Sequence, residues 1–277
     1  MLAAFMQTYA QRFPRDLWRI WKQRESPVGR WALLRCWWAI RLAAASAPPE
    51  ACLGRLRLVA GSHNDLAFGF MEMFVNEEYG VSLPATNPVI VDCGANIGMA
   101  ALYFKTRYPG ATVACFEPNP ASCALIERHL RENGLQGVTL HRAACGAAPG
   151  EAKFFVNATD SIVSSFYPAR AGSDVEIKVP VVRLSDFITG PVDLLKIDVE
   201  GAEWDILEDL IAAGKMPLIK AMVVEYHHQI EGRPVEFGRF LGMIEAAGFH
   251  YQLDSEAAKR HSHNGGFQDV MIYASRK

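Results

Sequence analysis

Apolar and polar positions follow two alternating periods along most of this chain. Short apolar runs of strand length occur at Val89–Val91, Thr112–Phe116, Val138–Arg142, Leu194–Val199, Ile219–Tyr226 and Asp269–Tyr273. Between them, apolar residues recur every three to four positions, which predicts helices over Met99–Arg107, Ala121–Asn133, Glu203–Ala212 and Val235–Ala247. The second is closed by Asn133-Gly134 and the last by Gly248, both ordinary stop signals. Glu151–Val156 and Val175–Val182 predict added strands. Leu53–Ala60 predicts a strand and Leu66–Phe74 a short element leading in. Strict β–α alternation implies an α/β fold, a doubly wound and mostly parallel sheet with helices on both faces. No internal repeat or low-complexity tract interrupts it.

The opening fifty residues have a different texture. Residues 15–24 and 30–45 read as helices, separated by Ser26-Pro27 and Gly29 and closed by Ala47-Pro48-Pro49. This stretch carries eight Lys/Arg against three acids, whereas the remainder is acidic. Five of the six tryptophans (Trp18, Trp21, Trp31, Trp37, Trp38) fall in it. Two readings stand side by side: a helical cap whose tryptophans pack on protein, its own or a partner subunit's, or an interfacial segment lying on a membrane. The expected organisation is an N-terminal helical extension, residues 1–50, followed by one main domain, residues 51–277.

Composition narrows the function classes. Half of the 277 residues are hydrophobic, enough for a real core, and the net charge of -2 lacks the basic excess of a nucleic-acid binder. The six cysteines show no C-x-x-C pair and no zinc spacing, and several sit in apolar runs as small hydrophobes. No secretory signal pattern and no uncharged run of membrane-spanning length is present. A cytoplasmic location is expected, with peripheral attachment to the inner face of a membrane as the variant.

The first chemistry-bearing run is Val89-Ile-Val-Asp92-Cys-Gly94-Ala-Asn96-Ile-Gly98-Met99. An apolar strand ends in an acid, and a glycine-rich turn opens a helix where open α/β sheets bind cofactors. The spacing Gly-x-x-x-Gly omits the third glycine of a pyrophosphate-binding turn. Asp92, just before the first glycine, would repel a pyrophosphate but welcome the amino group and sulfonium of S-adenosylmethionine. The next strand ends in Phe116-Glu117-Pro118-Asn119-Pro120, with Glu117 placed to accept hydrogen bonds from ribose hydroxyls.

The second run is Asp193-Leu-Leu-Lys196-Ile-Asp198-Val-Glu200-Gly201-Ala-Glu203. Strand alternation puts Lys196, Asp198 and Glu200 on one face. Charges in a central strand need partners, so Lys196 is expected to pair with Asp198 or with Glu225 of the following strand. That strand also delivers His227 at its carboxyl end. Glu203, Asp205, Glu208 and Asp209 read as the charged face of a helix, suited to its N-terminal dipole. His261 and His263 read as part of a glycine loop near the acceptor mouth rather than as metal ligands, and no metal is expected.

Asp-Cys-Gly-Ala-Asn-Ile-Gly, Phe-Glu-Pro-Asn-Pro, Leu-Leu-Lys-Ile-Asp-Val-Glu-Gly-Ala-Glu and Val-Glu-Tyr-His, in this order, resemble the FkbM-type methyltransferases. Residues from about 60 to 273 fit that pattern, including Glu78-Tyr79. Cys93 replaces a commoner aliphatic residue, and the match of Asp160 and Ser164-Ser165 to a small-polar loop is loose. The resemblance implies a class I, Rossmann-like fold, S-adenosylmethionine as cofactor, and transfer to a hydroxyl oxygen of a sugar, glycan or secondary metabolite. It implies that Gly94, Asn96 and Gly98 line the methionine part, Glu117 the ribose, and Asp198 the region of the transferred methyl. Asp92 and Asn119 complete the expected cofactor-side set.

Methyl transfer to a hydroxyl calls for alignment and for removal of a proton. His227, Asp198 and Glu200 are the candidate bases. Two readings of other kinds remain beside this one, a nicotinamide-dependent oxidoreductase and a non-catalytic module on the same fold.

Overall fold

A computed structural model describes residues 14–23, 26–42, 49–156, 164–172, 175–228, 230, 236–254 and 268–276. His261, His263 and Asp160 lie outside the described residues. The chain divides into two compact units, Met1–Gly80 and Val81–Lys277.

The first unit contains helix α1 (residues 14–22), α2 (Arg30–Leu42), strands β1 (Glu50–Leu53) and β2 (Leu56–Val59), and α3 (His63–Phe70), which runs into a π turn at Met71–Asn76. One strand was expected over Leu53–Ala60. The structure forms an antiparallel hairpin instead, because Gly54 takes a left-handed φ of 61° and turns the chain between Leu53 and Leu56. Ser62 caps α3, its hydroxyl accepting from the Asp65 N–H at 3.0 Å. Asp16 of α1 and Arg41 of α2 form an ion pair at 2.6 Å, and the Arg41 guanidinium lies over the Trp37 ring. Trp37 is buried, and the other four tryptophans of this stretch are exposed.

The second unit is built on a seven-stranded sheet. Its elements are β3 (Val89–Cys93), α4 (Met99–Arg107), β4 (Thr112–Phe116), α5 (Pro120–Glu132), β5 (Val138–His141), β6 (Ala144–Cys145), β7 (Gly150–Phe155), α6 (Pro168–Ala171), β8 (Glu176–Val182), β9 (Leu194–Ile197), α7 (Glu203–Ala212), β10 (Ala221–His228), α8 (Phe237–Ala246), β11 (His250–Asp254) and β12 (Gln268–Ser275). The strand order is β11-β12-β10-β9-β3-β4-β5. From β10 to β5 every pair is parallel, while β12 runs antiparallel between β10 and β11. This is a Rossmann-like α/β fold, as the sequence pattern implied. A separate three-stranded sheet, β6-β8-β7, fills the insertion between β5 and β9.

Strand order reverses direction between β3 and β9, the kind of switch point at whose carboxyl edge open α/β sheets bind ligands. The rigidity of that region comes from the core beneath it. Val91, Leu195, Ile197, Met222, Val224 and Ile272 of the sheet share one cluster with Ile206 and Leu210 of α7 and Phe240 and Ile244 of α8. Removing such side chains from water supplies the main driving force, roughly 25 cal/mol per Å² of apolar surface.

Two expectations about charged positions need correction. Glu203 and Asp209 do not belong to a solvated face; both are buried. Asp209 accepts from the Ser185 N–H at 2.8 Å and from its hydroxyl at 2.7 Å, which ties α7 to the turn Leu184–Asp186. β11 was not expected at all. It is an edge strand of mostly polar, exposed residues, without the apolar run that marks a buried strand.

Asp209→Ala should therefore lower stability by about 1.5–3 kcal/mol, the range for a lost hydrogen-bonded charge. Urea unfolding measures it, and a midpoint equal to wild type would contradict the buried placement.

Candidate active site

After β3 the chain turns through Gly94 (φ 80°), Asn96 (φ 45°) and Gly98 (φ 86°) into α4. Gly94 admits no side chain, since a Cβ there would lie 1.6 Å from the backbone oxygen of Asp198. The ends of β3 and β9 thus meet backbone to backbone, and the Asp198 N–H donates to the Cys93 carbonyl at 3.0 Å. Asn96 is a non-glycine residue in the left-handed region, a conformation asparagine tolerates better than most.

Glu117, at the tip of β4, is buried. One carboxylate oxygen accepts from the Asn96 N–H and the other from the Asn119 N–H, each at 2.8 Å. Burial pushes its pKa up to about 8, against the downward pull of those two N–H groups. Each oxygen keeps a further acceptor site for a hydroxyl. The Asn119 side chain accepts from the Ala121 N–H at 3.0 Å and caps α5, so it serves the helix.

The centre of the site is Lys196, buried on β9 directly opposite Asp92 in the parallel register. Its ammonium lies 3.1 Å from Asp92 and 3.3 Å from Asp198, and donates to the Gly94 carbonyl at 2.9 Å. Burial works against the charge, but the two carboxylates outweigh it and move the lysine pKa upward. The expected partner Asp198 is present and Asp92 joins it. Asp92 is fully buried and answers the lysine. Its charge is compensated inside the protein, so the argument that it would repel a pyrophosphate loses its force.

Beyond Ile197 the strand ends, two residues earlier than expected. Glu200 takes a left-handed φ of 54°, followed by Gly201 at 116°. The Ser165 hydroxyl donates to the Glu200 carbonyl at 2.6 Å and accepts from the Tyr167 N–H at 3.1 Å, holding that bend. The bend turns the Glu200 carboxylate to 3.3 Å from Nε2 of His227, and Asp198 stands 3.9 Å from the same nitrogen. On the other side of the ring, Nδ1 lies 2.6 Å from Glu203, which also accepts the Gly201 N–H at 2.9 Å. In the tautomer with the proton on Nδ1, that N–H donates to Glu203, and Nε2 faces Glu200 and Asp198. Asp269 of β12 faces His227 in the antiparallel register.

The structure thus brings together Asp198, Glu200 and His227, the three candidate bases, beside the glycine turn. Sequence reasoning missed the placement of Glu203 and Asp269, and put Ser165 only in a loosely matched small-polar loop. Glu203 carried one available signal, an acid at the first position of a helix straight after Gly201, where it can reach back to a free N–H. Asp269 carried none that is local. Two groups of ligand-type atoms lie within 4.8 Å of one another, Asp198-Glu200-His227 and Glu225-His227-Asp269, a spacing at which a cation could be held. The donor set as a whole favours a cationic ligand: several carboxylates converge where Lys196 is the buried cation. Burial, then the charge of Asp198, pushes the Glu225 pKa up to about 8, with His227 opposing. A sulfonium compound bearing an amino group and no phosphate fits these residues.

Fold and site together define a methyltransferase of Rossmann-like architecture. The Methyltransferase FkbM domain matches residues 92–251, more than half of the chain, and the chain belongs to that family. The cofactor is S-adenosylmethionine, and the nicotinamide reading falls away. Methyltransferase 1 of Beauveria bassiana (strain ARSEF 2860) is 32% identical over 178 residues, covering 53% of this chain and 68% of the relative. The 31-O-demethyl-FK506 methyltransferase FkbM of Streptomyces tacrolimicus is 31% identical over 222 residues, covering 66% and 81%. The 2-O-methyltransferase NoeI of Sinorhizobium fredii (strain NBRC 101917 / NGR234) is 30% identical over 167 residues, covering 53% and 66%.

Two measurements check these electrostatics. Lys196→Met leaves Asp92 buried without its partner and should cost about 3–5 kcal/mol in urea unfolding; adding Asp92→Asn should restore part of it. An unchanged midpoint for the single variant would refute the central role of the lysine. For Glu225, a folded pKa of about 8 against an ordinary 4.5 means the native state holds the proton longer. Stability should fall as pH rises through that window. The melting temperature of Glu225→Gln should therefore gain on wild type between pH 5 and pH 8.5, and a constant difference would show that Glu225 ionises normally.

Proposed function

We propose that this chain transfers the methyl group of S-adenosylmethionine to a hydroxyl oxygen of a sugar, glycan or secondary metabolite, with His227 as the base. The observation that carries the reading is the Glu203–His227 contact at 2.6 Å, which orients the ring so that Nε2 opens toward Asp198 and Glu200. Support for oxygen as acceptor comes from two relatives, whose names specify a 31-O-demethyl compound and a 2-O-methyl transfer.

The bound cofactor supplies an activated methyl on a positively charged sulfur. Glu117 receives ribose hydroxyls on the acceptor sites left free by Asn96 and Asn119. The carboxylates of Asp198 and Glu200 favour positive charge at the junction of donor and acceptor. His227 Nε2 would take the proton of the acceptor hydroxyl, while the bound cofactor would supply the methyl group and leave as the neutral thioether. The resulting imidazolium is held by Glu203 on one side and by Glu200 and Asp198 on the other. Glu203 is a positioning residue in this scheme. The reading includes a reducing, cytoplasmic setting, supported by the cysteine pattern, which has no C-x-x-C pair and places several cysteines in apolar runs.

The test is a labelled-methyl assay on cell extract with product identification by mass spectrometry. A methyl ether is expected; a methylated nitrogen, sulfur or carbon would overturn the reading. On that product's acceptor, His227→Ala should lose roughly 10²–10⁴-fold in kcat, the usual worth of a positioned base. Calorimetric affinity for S-adenosylhomocysteine should stay near wild type. Full turnover would remove His227 from the chemistry.

A further inference from the structure

We infer that α1 and α2 form a docking surface for an anionic lipid bilayer. Helix α2 is two-sided: Leu33, Cys36, Trp37 and Ile40 are buried, while Trp31, Arg35, Trp38 and Leu42 are exposed. At 100° per residue the exposed four fall within about 60° of arc, a single stripe. On α1, Arg15, Trp18 and Lys22 form a similar stripe with Trp21 beside it, opposite the buried Ile20.

Exposure is large where water makes it costly. Trp18 is 57% exposed, Trp21 59%, Trp31 76%, Trp38 46% and Leu42 78%. Each indole offers some 150–250 Å² for burial, so a cluster of this kind marks an interaction site rather than ordinary surface. Charge then selects the partner. Among the described residues of these two helices the acid is Asp16, which is buried and paired with Arg41. The exposed charges, Arg15, Lys22 and Arg35, are all positive. Lys22 stands 3.7 Å above the Trp18 ring and Arg30 stands 4.8 Å from that of Trp21, so cation and indole are presented as one unit. Aromatic rings with a polar N–H, interleaved with long basic side chains, match the headgroup region of a bilayer, where rings reach the acyl boundary and cations meet phosphates.

Insertion across the membrane is not what these helices offer. The 13 residues of α2 span roughly 20 Å at 1.5 Å each, short of a ~30 Å hydrocarbon core. Among the described residues no helix is long and apolar enough to cross. The geometry fits a helix lying in the interface plane.

The test uses the full chain and vesicles of phosphatidylcholine alone or with 30 mol% phosphatidylglycerol, by co-sedimentation and by tryptophan quenching with brominated lipid. Binding to the anionic vesicles is expected, weakened by salt. Arg35→Gln should reduce the partition about five-fold, the effect of one charge near an anionic surface. Trp31→Ser with Trp38→Ser should reduce it further and remove most of the quenching. S-adenosylhomocysteine affinity, unchanged in every variant, shows that the variants fold and keeps this outcome separate from the methyl-transfer reading. Protein that stays in the supernatant with both vesicle types overturns the inference. So does binding that ignores the tryptophan substitutions, or a self-association in ultracentrifugation that the same substitutions abolish, which would assign the surface to a second copy.

Discussion

A single buried ammonium organises the catalytic end of this molecule. Lys196 joins three parts of the chain that meet only in the folded state: the acid closing β3, the first carbonyl of the glycine turn and the acid just past β9. An unpaired charge at that depth would be prohibitive, and a fully matched one pins its partners in place. Since the Gly94 backbone also packs against the Asp198 carbonyl, neither strand end can shift without breaking the other's contacts. The glycine turn and Asp198 are thereby locked in one frame.

From this frame a second polar chain runs outward. Asp198 and Glu200 approach one nitrogen of His227, and Glu203 holds the other. Ser165, from the insertion that also carries the small sheet, fixes the bend at Glu200. Glu225 at the edge of this chain is shifted upward first by burial and then by the charge of Asp198. Catalysis by alignment benefits from such pre-arrangement, because no dipole has to reorient during the reaction.

Much of this was legible in the amino-acid order. The boundaries of α4, β4 and α7 coincide with the pattern because local signals mark them: Gly98 before α4, an apolar run ending at Phe116, and Gly201 ahead of α7. The structure also brings the glycine turn, Glu117 and the trio Asp198, Glu200 and His227 close together at the ends of neighbouring strands. What escaped depended on strand order. Asp92 and Lys196 oppose each other because β9 docks beside β3, a fact no local window contains. Asp269 meets His227 because β12 threads backward between β10 and β11. A run of acids such as Glu203 to Asp209 looks solvated until tertiary packing turns two of them inward.

That backward-threaded strand has a kinetic corollary. β12 follows β10 in the chain and pairs with it along that strand's full length, placing Asp269 beside the imidazole. Until it inserts, β10 presents an unpaired edge and the histidine lacks one wall of its niche. β3, β4 and β9 precede β12 in the chain and can pair without it, whereas the niche around His227 closes only when β12 is in place. Closure of that niche thus waits until the chain through Ser275 has been made.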